Sequence, residues 1–404
     1  RKELRTYQRV DVNYLKHIGS AGIFNEQRTG KTPTVLTLVE EKGFKHIVIV
    51  APASLLYNWK EEVERWTNFK GILISGKKSE RLMKFKESLL KNQNVSIISY
   101  ETLRNSLTEL LKILKESNKV LDCLIVDEAH RLRSLINGRR ASKVSKAVVA
   151  LGRHAQTRYA LTGTPVVKEG QEIWGILHFL YPDRFPGYWQ FVDRYFYQKF
   201  NGFGKEIAGY KRKKEIQEIL AVISTNRKRK DVMRWLPDKQ YQTIYLEMNK
   251  EQAKMYDDVY KTFVHEDVID APSVLAQLIR LRQIASTPCI FKDVPNEKEK
   301  FILEWLEDNP NESVIIFSTF SRYLEKLHQK IKGSLLITGK VSKEDRDKAV
   351  KAFQEGRCKV LLANIKSAGT GLTLDRGETV IFIDKEYNPS DKQIYPFCAI
   401  FFAI

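Results

Sequence analysis

The stretch IFNEQRTGKT (Ile23 to Thr32) ends in Gly-Lys-Thr, the closing half of the phosphate-binding pattern G-x-x-x-x-G-K-[ST]. Asn25 stands where the pattern has its first glycine, and asparagine is a tolerable replacement because it adopts left-handed backbone conformations more readily than most residues. An apolar pair precedes the loop and helix-forming residues follow it, so the context is strand, loop and helix. Such a loop presents backbone N–H groups and Lys31 to phosphates and a hydroxyl to Mg²⁺. Chance Gly-Lys-Thr triplets are common, so a second feature is needed.

That feature is LIVDEAH (124–130), an apolar run that delivers Asp127 and Glu128 at its tip. An aspartate there can hold Mg²⁺, and the adjacent glutamate can orient or deprotonate an attacking water. The alternative, an exposed acidic turn, is disfavoured because a phosphate-loop lysine precedes the run in the same predicted sheet. We expect His130 to be a coupling residue rather than a metal ligand, since no second histidine lies nearby.

Composition bounds the function without deciding it. The chain has 404 residues, 43% of them hydrophobic and 29% charged, which indicates a globular protein of two or three domains. No apolar run approaches the roughly 20 residues needed to span a bilayer, so we expect no membrane partner. Four widely spaced cysteines without a C-x-x-C pair indicate neither a zinc site nor a disulfide framework.

The formal net charge is +19, with basic clusters at 211–214 (KRKK) and 227–230 (RKRK). One interpretation is a solvated, lysine-rich surface; the other is a polyanionic partner, usually nucleic acid. Charge alone leaves both open. The cluster at 227–230 could also be a nuclear-import patch, which we consider less favoured.

Short apolar runs alternate with amphipathic helical stretches, as in a parallel α/β sheet. The first set of runs is HIVIVAP (46–52), VSIISYE (95–101), LDCLIVDE (121–128) and RYALTGTP (158–165). A second set begins near residue 296 and comprises ESVIIFSTF (312–320), GSLLITGK (333–340), CKVLLANI (358–365) and ETVIFIDK (378–385). We therefore predict two α/β lobes joined through a helical region at roughly 168–295. Trp59, Trp66, Trp174 and Trp189 recur on helical stretches and are expected in the core.

Several stretches occur in the order of the superfamily-two helicase motifs, namely NEQRTGKT, DEAH, LTGTP (161–165) and SAGTGLTLD (367–375). Others resemble the Swi/Snf-type branch, the double-stranded DNA translocases: LRTYQRVDVNYL (4–15), APASLLYNWKEEVERW (51–66), LTGTPVVKEGQEIWGILHFLYPDRF (161–185), NRKRKDVMRWLPDK (226–239), LRQIASTP (281–288) and FIDKEYNPSDKQ (382–393). The resemblance covers nearly the whole chain, and the 226–239 stretch is specific to this branch.

The resemblance implies an α/β fold of two RecA-like parallel-sheet lobes with a helical insertion between them. The first lobe would span 1–238, with a helical protrusion at about 168–238. Connecting helices at 239–295 and a second lobe at 296–404, incomplete at its C-terminus, would follow.

The resemblance also implies that ATP binds with Mg²⁺ between the lobes and that its hydrolysis drives movement along double-stranded DNA. The implied catalytic residues are Lys31, Asp127 and Glu128, with Thr32 and Asp127 on Mg²⁺. The implied nucleotide-binding residues are Gln8 (on adenine), Gln27, Arg28, Thr29, Gly30, Lys31, Thr32, Gly369 and Gly371. His130, Thr162 and Thr164 would couple the nucleotide site to the DNA. The implied contacts to DNA phosphates are Ser54, Ser99, Thr102, Ser318 and Thr319.

The chain departs from the family pattern in two places. Gln27 and Arg28 replace the Met and Gly of DEMGLGKT, a change we do not expect to abolish nucleotide binding. After Gln393 the family has an Asp-Arg and a further Arg that reaches the γ-phosphate, whereas this chain has IYPFCAIFFAI (394–404). We interpret that tail as truncation or a shifted reading frame and expect slow hydrolysis at best, unless Arg376 or a second molecule supplies the arginine.

Three functions stay open: a duplex DNA translocase, which the resemblance favours, a strand-separating helicase, and a non-hydrolysing DNA-binding scaffold. DNA-stimulated ATPase activity separates the third from the others, and unwinding of forked duplexes separates the second. We expect a monomer by default, in the cytoplasm with the nucleoid of a bacterial or viral-host cell, or in the nucleus of a eukaryote. Protein partners, the biological target and the direction of movement cannot be deduced from the sequence.

Overall fold

The computed structural model of the chain describes residues 3–91, 94–166, 169–200, 202, 205–232, 241–265, 269–368, 374, 376–384 and 398–403. The chain forms two compact units, Arg1–Leu236 and Pro237–Ile404. Each unit is built on a parallel sheet with helices, so the predicted α/β class with two parallel-sheet lobes is confirmed.

The strands in chain order are β1 (Ala21–Ile23), β2 (Ile47–Ala51), β3 (Lys70–Leu73), β4 (Asn94–Ser99), β5 (Leu121–Asp127), β6 (Ala155–Leu161), β7 (Phe196–Phe200), β8 (Lys205–Tyr210), β9 (Ser224–Thr225), β10 (Tyr241–Tyr245), β11 (Val264–His265), β12 (Ile269–Asp270), β13 (Val314–Ser318), β14 (Leu335–Ile337), β15 (Val360–Asn364), β16 (Thr379–Phe382) and β17 (Cys398–Ala403).

The helices are α1 (Thr6–Lys16), α2 (Lys31–Glu41), α3 (Leu56–Trp66), α4 (Lys78–Leu90), α5 (Tyr100–Glu116), α6 (Lys143–Gly152), α7 (Ile173–Leu180), α8 (Tyr188–Tyr195), α9 (Lys213–Ile223), α10 (Arg229–Val232), α11 (Lys250–Thr262), α12 (Val274–Ser286), α13 (Glu297–Asp308), α14 (Ser321–Lys330), α15 (Lys343–Gln354) and α16 (Ile365–Ala368). Short 3₁₀ helices cover Ala53–Leu55, Gly170–Glu172 and Pro288–Ile290, and a longer 3₁₀ stretch, Ala129–Arg140, is interrupted by a non-helical Gly138.

The sheet of the first unit has the strand order β3-β4-β2-β5-β6-β1-β9, and its pairings are parallel. Strand β2 shows why the apolar runs are continuous rather than alternating. Its odd residues Ile47, Ile49 and Ala51 belong to one hydrophobic cluster, and its even residues Val48 and Val50 belong to another. Because both faces of the sheet are covered, every side chain of the strand is buried. Because β1, β5 and β6 pair in parallel, their carboxyl ends meet at one edge of the sheet, where the sequence motifs lie.

The second sheet has the order β10-β17-β16-β13-β15-β14, also with parallel pairings. Ile315 and Phe317 of β13 face one hydrophobic cluster, and Val314 and Ile316 face the other. Strand β17, from the apolar tail, lies between β16 and β10.

The region between the two predicted strand sets is less purely helical than expected. Strands β7 and β8 form an antiparallel pair within 168–238, and β9 joins the first sheet beside β1. In the 239–295 segment, β10 joins the second sheet. Short strands next to charged residues lack the long apolar runs on which the sequence prediction depended.

Tryptophan burial follows the prediction in part. Trp59 and Trp174 are buried and Trp66 is half-buried, but Trp189 is 56% exposed, so its assignment to the core was wrong. Among the described residues, no helix combines the length and apolarity that crossing a membrane requires.

Candidate active site

The phosphate loop connects β1 to α2 with two residues in the left-handed backbone region. Gly30, at the N-terminus of α2, has φ 81°, and Arg28 has φ 64°. The positive φ of Gly30 favours glycine, and a Cβ there would also force the Gln8 amide to move. Arg28 is the residue that replaces the family's glycine, and it adopts the left-handed conformation that glycine would adopt without strain.

Asn25, the replacement for the first glycine, is fully buried and connects two distant segments. Its Nδ2 donates to Asp11 Oδ2 at 3.0 Å, and its Oδ1 accepts from the backbone N–H of Arg227 at 3.0 Å. The Arg227 guanidinium donates to Asp11 Oδ1 from Nε at 2.9 Å and from Nη2 at 2.7 Å. One arginine of the 227–230 cluster is therefore committed to an internal carboxylate, which argues against a fully exposed import patch.

The 225–229 segment also runs along the loop itself. The backbone N–H of Phe24 donates to Thr225 O at 2.8 Å, and that of Glu26 donates to Arg227 O at 2.9 Å. The branch-specific stretch thus forms one wall of the phosphate loop.

Gln8 and Thr29, both implied in nucleotide binding, contact each other. Gln8 is buried, donates from Nε2 to Thr29 O at 3.2 Å and accepts from the backbone N–H of Arg5 at 2.8 Å. Tyr7 donates its hydroxyl to the same Thr29 carbonyl at 2.8 Å. Helix α1 is therefore attached to the loop through two side chains.

Lys31 opens α2 and points back under the loop. Its Nζ donates to the carbonyls of Asn25 at 3.1 Å and Glu26 at 3.4 Å. Burial lowers the pKa of Lys31, and the nearby negative charges of Glu128 and Asp127 oppose that shift. Thr32, the implied metal ligand, is half-buried in the first turn of α2.

Asp127 and Glu128 are adjacent carboxylates at the end of β5. Trp59 Nε1 donates to Asp127 Oδ2 at 2.9 Å, and the backbone N–H of Glu128 donates to Oδ1 at 2.9 Å. Burial, with repulsion from Glu128, raises the pKa of Asp127 to about 6. Burial also acts to raise the pKa of Glu128, but hydrogen bonding to His130 and the charge of Lys31 outweigh it and hold that pKa below its usual range.

The three implied coupling residues form a connected path from Glu128. His130 Nδ1 lies 3.2 Å from Glu128 Oε2 and 3.3 Å from Thr162 Oγ1. Thr162, which is fully buried, accepts from the backbone N–H of Thr164 at 3.1 Å. Its own N–H donates to Ile23 O at 3.2 Å, so the path returns to the strand that precedes the phosphate loop.

Gly163 packs against the loop at the same point. A Cβ there would lie 3.3 Å from the backbone nitrogen of Gln27, tighter than ordinary contact. The structure therefore brings the three motifs of the first unit together at the carboxyl edge of its sheet.

The DNA-binding residues implied in the first unit have different environments. Ser54 is exposed in the 3₁₀ turn before α3. Ser99 is buried and caps α5, accepting from the backbone N–H of Thr102 at 3.0 Å and donating to its hydroxyl at 2.9 Å.

In the second unit, Ser318 and Thr319 both contact Asp384, a buried carboxylate just after β16. The hydroxyls of Ser318 and Thr319 donate to it at 2.5 Å each, and the Thr319 backbone N–H donates at 3.1 Å. Arg282 Nη2 lies 3.3 Å from the same carboxylate. In this structure the two hydroxyls therefore hold an internal anion.

Gly369 and Gly371 lie outside the described residues. Arg376, named as a substitute finger, lies in the turn before β16, where its backbone N–H donates to Gln354 Oε1 at 3.2 Å. That turn is at the amino edge of the second sheet, whereas Ser318 and Asp384 lie at its carboxyl edge. The turn of Arg376 and the Ser318–Asp384 contact are thus at opposite edges of the sheet, and Arg376 as a substitute finger stays a prediction.

Sequence reasoning missed Asp11, Trp59 as a partner of Asp127, and the Asp384–Arg282 pair. Asp11 lies on α1 among polar residues, and its partner Arg227 is 216 positions away. Asp11 could have been found because it shares the buried face of α1 with Val12 and Leu15, and a buried carboxylate needs a partner.

Comparison with known families decides the assignment. A family model described as "SNF2-related domain" matches residues 7–290, and one described as "Helicase conserved C-terminal domain" matches residues 297–393. The chain belongs to the SNF2-related family of helicase-like ATPases. The Swi/Snf-type resemblance drawn from the motifs is therefore confirmed.

The relatives that the chain matches are longer than the chain. It is 27% identical to "Uncharacterized ATP-dependent helicase MG018" of Mycoplasma genitalium over 95% of this chain and 37% of that protein. It is also 27% identical to "ISWI chromatin-remodeling complex ATPase ISW1" of Saccharomyces cerevisiae, over 96% of this chain and 36% of that protein. The chain thus spans under two fifths of the length of these two relatives.

A solved structure described as "Sulfolobus solfataricus SWI2/SNF2 ATPase core in complex with dsDNA" aligns with a TM-score of 0.49 and 21% identity, covering 100% of this chain and 88% of that chain.

Proposed function

We propose that this chain is the ATPase core of a translocase that couples ATP hydrolysis to movement along double-stranded DNA. The observation that carries the proposal is the path from Glu128 through His130 to Thr162, which ends on the strand that leads into the phosphate loop. Glu128, which would respond to the γ-phosphate, is thereby connected to the loop that would hold the phosphates.

Lys31 is the proposed ligand of the β- and γ-phosphates. Its Nζ binds neutral carbonyls of the loop, which a phosphate can replace at little cost. The lowered pKa reflects a buried ammonium that lacks full compensation, and phosphate charge would supply it. Gly30 and Arg28 would contribute backbone N–H groups, as would Thr29 once its N–H leaves the Glu26 carbonyl, with Gln27 at the loop and Gln8 beside the base.

Glu128 is the proposed general base. A water attacks the γ-phosphorus while the Glu128 carboxylate accepts its proton, and the bond to the leaving ADP oxygen breaks. The lowered pKa keeps Glu128 ionised near neutral pH. When His130 carries a proton on Nδ1, it donates to this carboxylate and orients it.

Thr32 and Asp127 are the proposed Mg²⁺ ligands, since a hydroxyl and a carboxylate oxygen suit a hard cation. The fit is electrostatic as well, because burial and the neighbouring Glu128 carboxylate raise the pKa of Asp127, and a divalent cation would neutralise the two carboxylates. When bound, Mg²⁺ would offset the charge that develops on the phosphate oxygens.

The proposed track is the phosphate backbone of duplex DNA. The net charge of +19 and the four exposed basic residues at 211–214 favour a polyanion, and Ser54 offers an exposed hydroxyl. Thr102, Ser318 and Thr319 are proposed phosphate contacts only if DNA displaces their present partners. Gly369 and Gly371 are proposed to complete the nucleotide site.

ATP turnover measured without DNA, with single strands and with duplex tests the proposal. We expect the duplex to stimulate turnover most, with little dependence on its sequence and a steep loss of DNA binding as salt rises. Triplex displacement by the same protein would report movement. No stimulation by any DNA, or unwinding of forked duplexes as the main activity, would contradict the translocase.

A further inference from the structure

A cavity of about 560 Å³ lies between the β7–β8 pair and the start of α8, away from the phosphate loop. Its walls include four aromatic residues: Tyr188, Trp189, Phe196 and Tyr210. Neighbouring rings are close, with centroids 5.1 Å apart for Tyr188 and Trp189 and 4.9 Å apart for Phe196 and Tyr210. The cavity lies within the usual size range of ligand pockets.

The charged groups on the walls of the cavity are acidic, and its other polar groups include both acceptors and donors; the Gln171 amide donates to Glu169. Glu169 and Glu206 line it, and of the described residues on its walls none is lysine or arginine. That composition is unexpected in a chain with 68 Lys and Arg among 404 residues. Two cations border the walls: Lys199 Nζ is 3.9 Å from Glu206, and Lys213 Nζ is 5.6 Å from the centroid of the Tyr210 ring.

Gln198 adds a buried acceptor. Its Nε2 donates to Asp193 Oδ1 at 2.6 Å, which fixes the orientation of the amide because a carboxylate only accepts. Its Oε1 is buried and finds no hydrogen-bond partner among the described residues. A buried unpaired acceptor costs free energy unless a ligand donor satisfies it.

The shape of the hairpin places these groups together. The register shifts between Tyr197 and Gln198, since Tyr197 pairs with Gly209 while Gln198 pairs with Ile207. Ala208 is the extra residue of this bulge, and bulges redirect side chains relative to a regular pair.

We propose that this cavity binds an arginine side chain from a basic segment of a partner protein. A planar guanidinium stacks on aromatic rings and offers five N–H donors in a fixed plane, which matches two carboxylates and an amide oxygen around aromatic walls. The inference does not depend on the proposed ATPase.

The test uses the 404-residue chain labelled with ¹⁵N on its six tryptophans, whose indole signals report weak binding. The probe is acetyl-Gly-Gly-Arg-Gly-Gly-amide, and the neutral comparison is the same peptide with citrulline. We expect the Trp189 signal, assigned with Trp189→Phe, to shift saturably with the arginine peptide and little with citrulline.

Variants locate the site. Glu206→Gln should weaken binding about twofold to fivefold, the range of one solvent-exposed ion pair. Glu218→Gln, an exposed charge on α9, and Tyr197→Ala, an exposed aromatic of the same hairpin, should leave binding unchanged. Lys31→Ala should also leave it unchanged, which separates this site from the nucleotide site. An unshifted Trp189 signal, equal binding of citrulline, or indifference to Glu206→Gln would each overturn the proposal.

Discussion

Asp127 and Asp384 occupy equivalent places in the two units, each at the carboxyl edge of a parallel sheet, yet their surroundings differ. Asp127 lies beside a second carboxylate, Glu128, and its pKa is raised to about 6. Asp384 lies beside the Arg282 guanidinium and accepts from two hydroxyls and a backbone N–H. The negative charge of Asp127 is thus poorly compensated, whereas that of Asp384 is balanced within its unit.

On the proposed function, the difference separates a group that would bind a cation, Asp127, from one that holds the fold, Asp384. An uncompensated buried charge costs stability, and proteins tolerate such costs mainly at functional sites. A buried charge that is compensated contributes to stability by connecting strands and helices. Substitutions at the two aspartates should therefore act in opposite directions on stability.

The largest expected effect is on ATP cleavage at the pair of carboxylates, Asp127 and Glu128. Glu128→Gln should lower the rate constant for ATP cleavage by about 10²–10⁴, because the amide cannot accept the proton of the attacking water. ATP should still bind. Rapid-quench measurement of single-turnover hydrolysis, with ATP binding measured separately, checks both statements.

Lys31→Ala is the matched variant for that experiment. It removes the ammonium that would neutralise phosphate charge, so ATP binding itself should weaken. The assigned roles would be reversed if Glu128→Gln lost binding while Lys31→Ala kept it.

Asp384→Ala should destabilise the protein by about 3–5 kcal/mol, the usual cost of removing one member of a buried charge pair. Arg282 would lose its carboxylate, and the Ser318 and Thr319 hydroxyls would lose their acceptor. Urea unfolding followed by circular dichroism measures the change. An unchanged unfolding midpoint would show that Asp384 does not stabilise the fold.

Asp127→Asn should do the opposite and stabilise the protein without nucleotide or metal by about 1–3 kcal/mol at pH 7. The raised folded-state pKa means that the native protein keeps the Asp127 proton to higher pH than the unfolded chain does. Raising the pH from about 4 to 6 therefore costs the wild-type protein stability, and the full penalty is present above pH 6. The variant lacks this penalty.

Melting temperatures of both proteins across pH 4–8, measured in EDTA, test this. The stability difference should grow between pH 4 and 6 and then stay constant. A variant that is less stable than wild type at pH 7 would show that the Trp59 and Glu128 hydrogen bonds already compensate the charge.

Local patterns explain what the sequence could predict. The phosphate loop, the acidic strand end and the buried runs each depend on residues within a few positions, so the loop of Lys31 and the strand of Asp127 were assigned correctly to one sheet. The β7–β8 pair was missed, although Asn201-Gly202 between its strands is a known hairpin signal. Its residues are mostly polar or aromatic, which suggested an irregular helical region instead.

Partners distant in sequence could not be predicted. Asn25 was interpreted as a substitute for glycine, but its side chain connects Asp11 to Arg227, which only the folded chain brings together. Likewise, Ser318 and Thr319 match a motif whose hydroxyls could hold either DNA or a carboxylate. The choice of Asp384 depends on a residue 66 positions further along the chain.

The smallest expected effect concerns Arg28 and the strain in the phosphate loop. At φ 64° an arginine pays about 1–2 kcal/mol for its Cβ in the left-handed region. Glycine avoids that cost but loses about 0.5–1 kcal/mol through the greater freedom of its unfolded chain. Arg28→Gly should therefore be more stable than Arg28→Ala by roughly 0.5–1 kcal/mol, the difference between these terms. Arg28→Ala is the control, because it removes the same side-chain contacts while keeping the strained Cβ. Thermal unfolding of the two variants should place glycine above alanine, and equal melting temperatures would show that the loop relaxes out of the left-handed conformation. Because the comparison is made within one position, a loss of Arg28 contacts lowers both variants alike and leaves their difference intact.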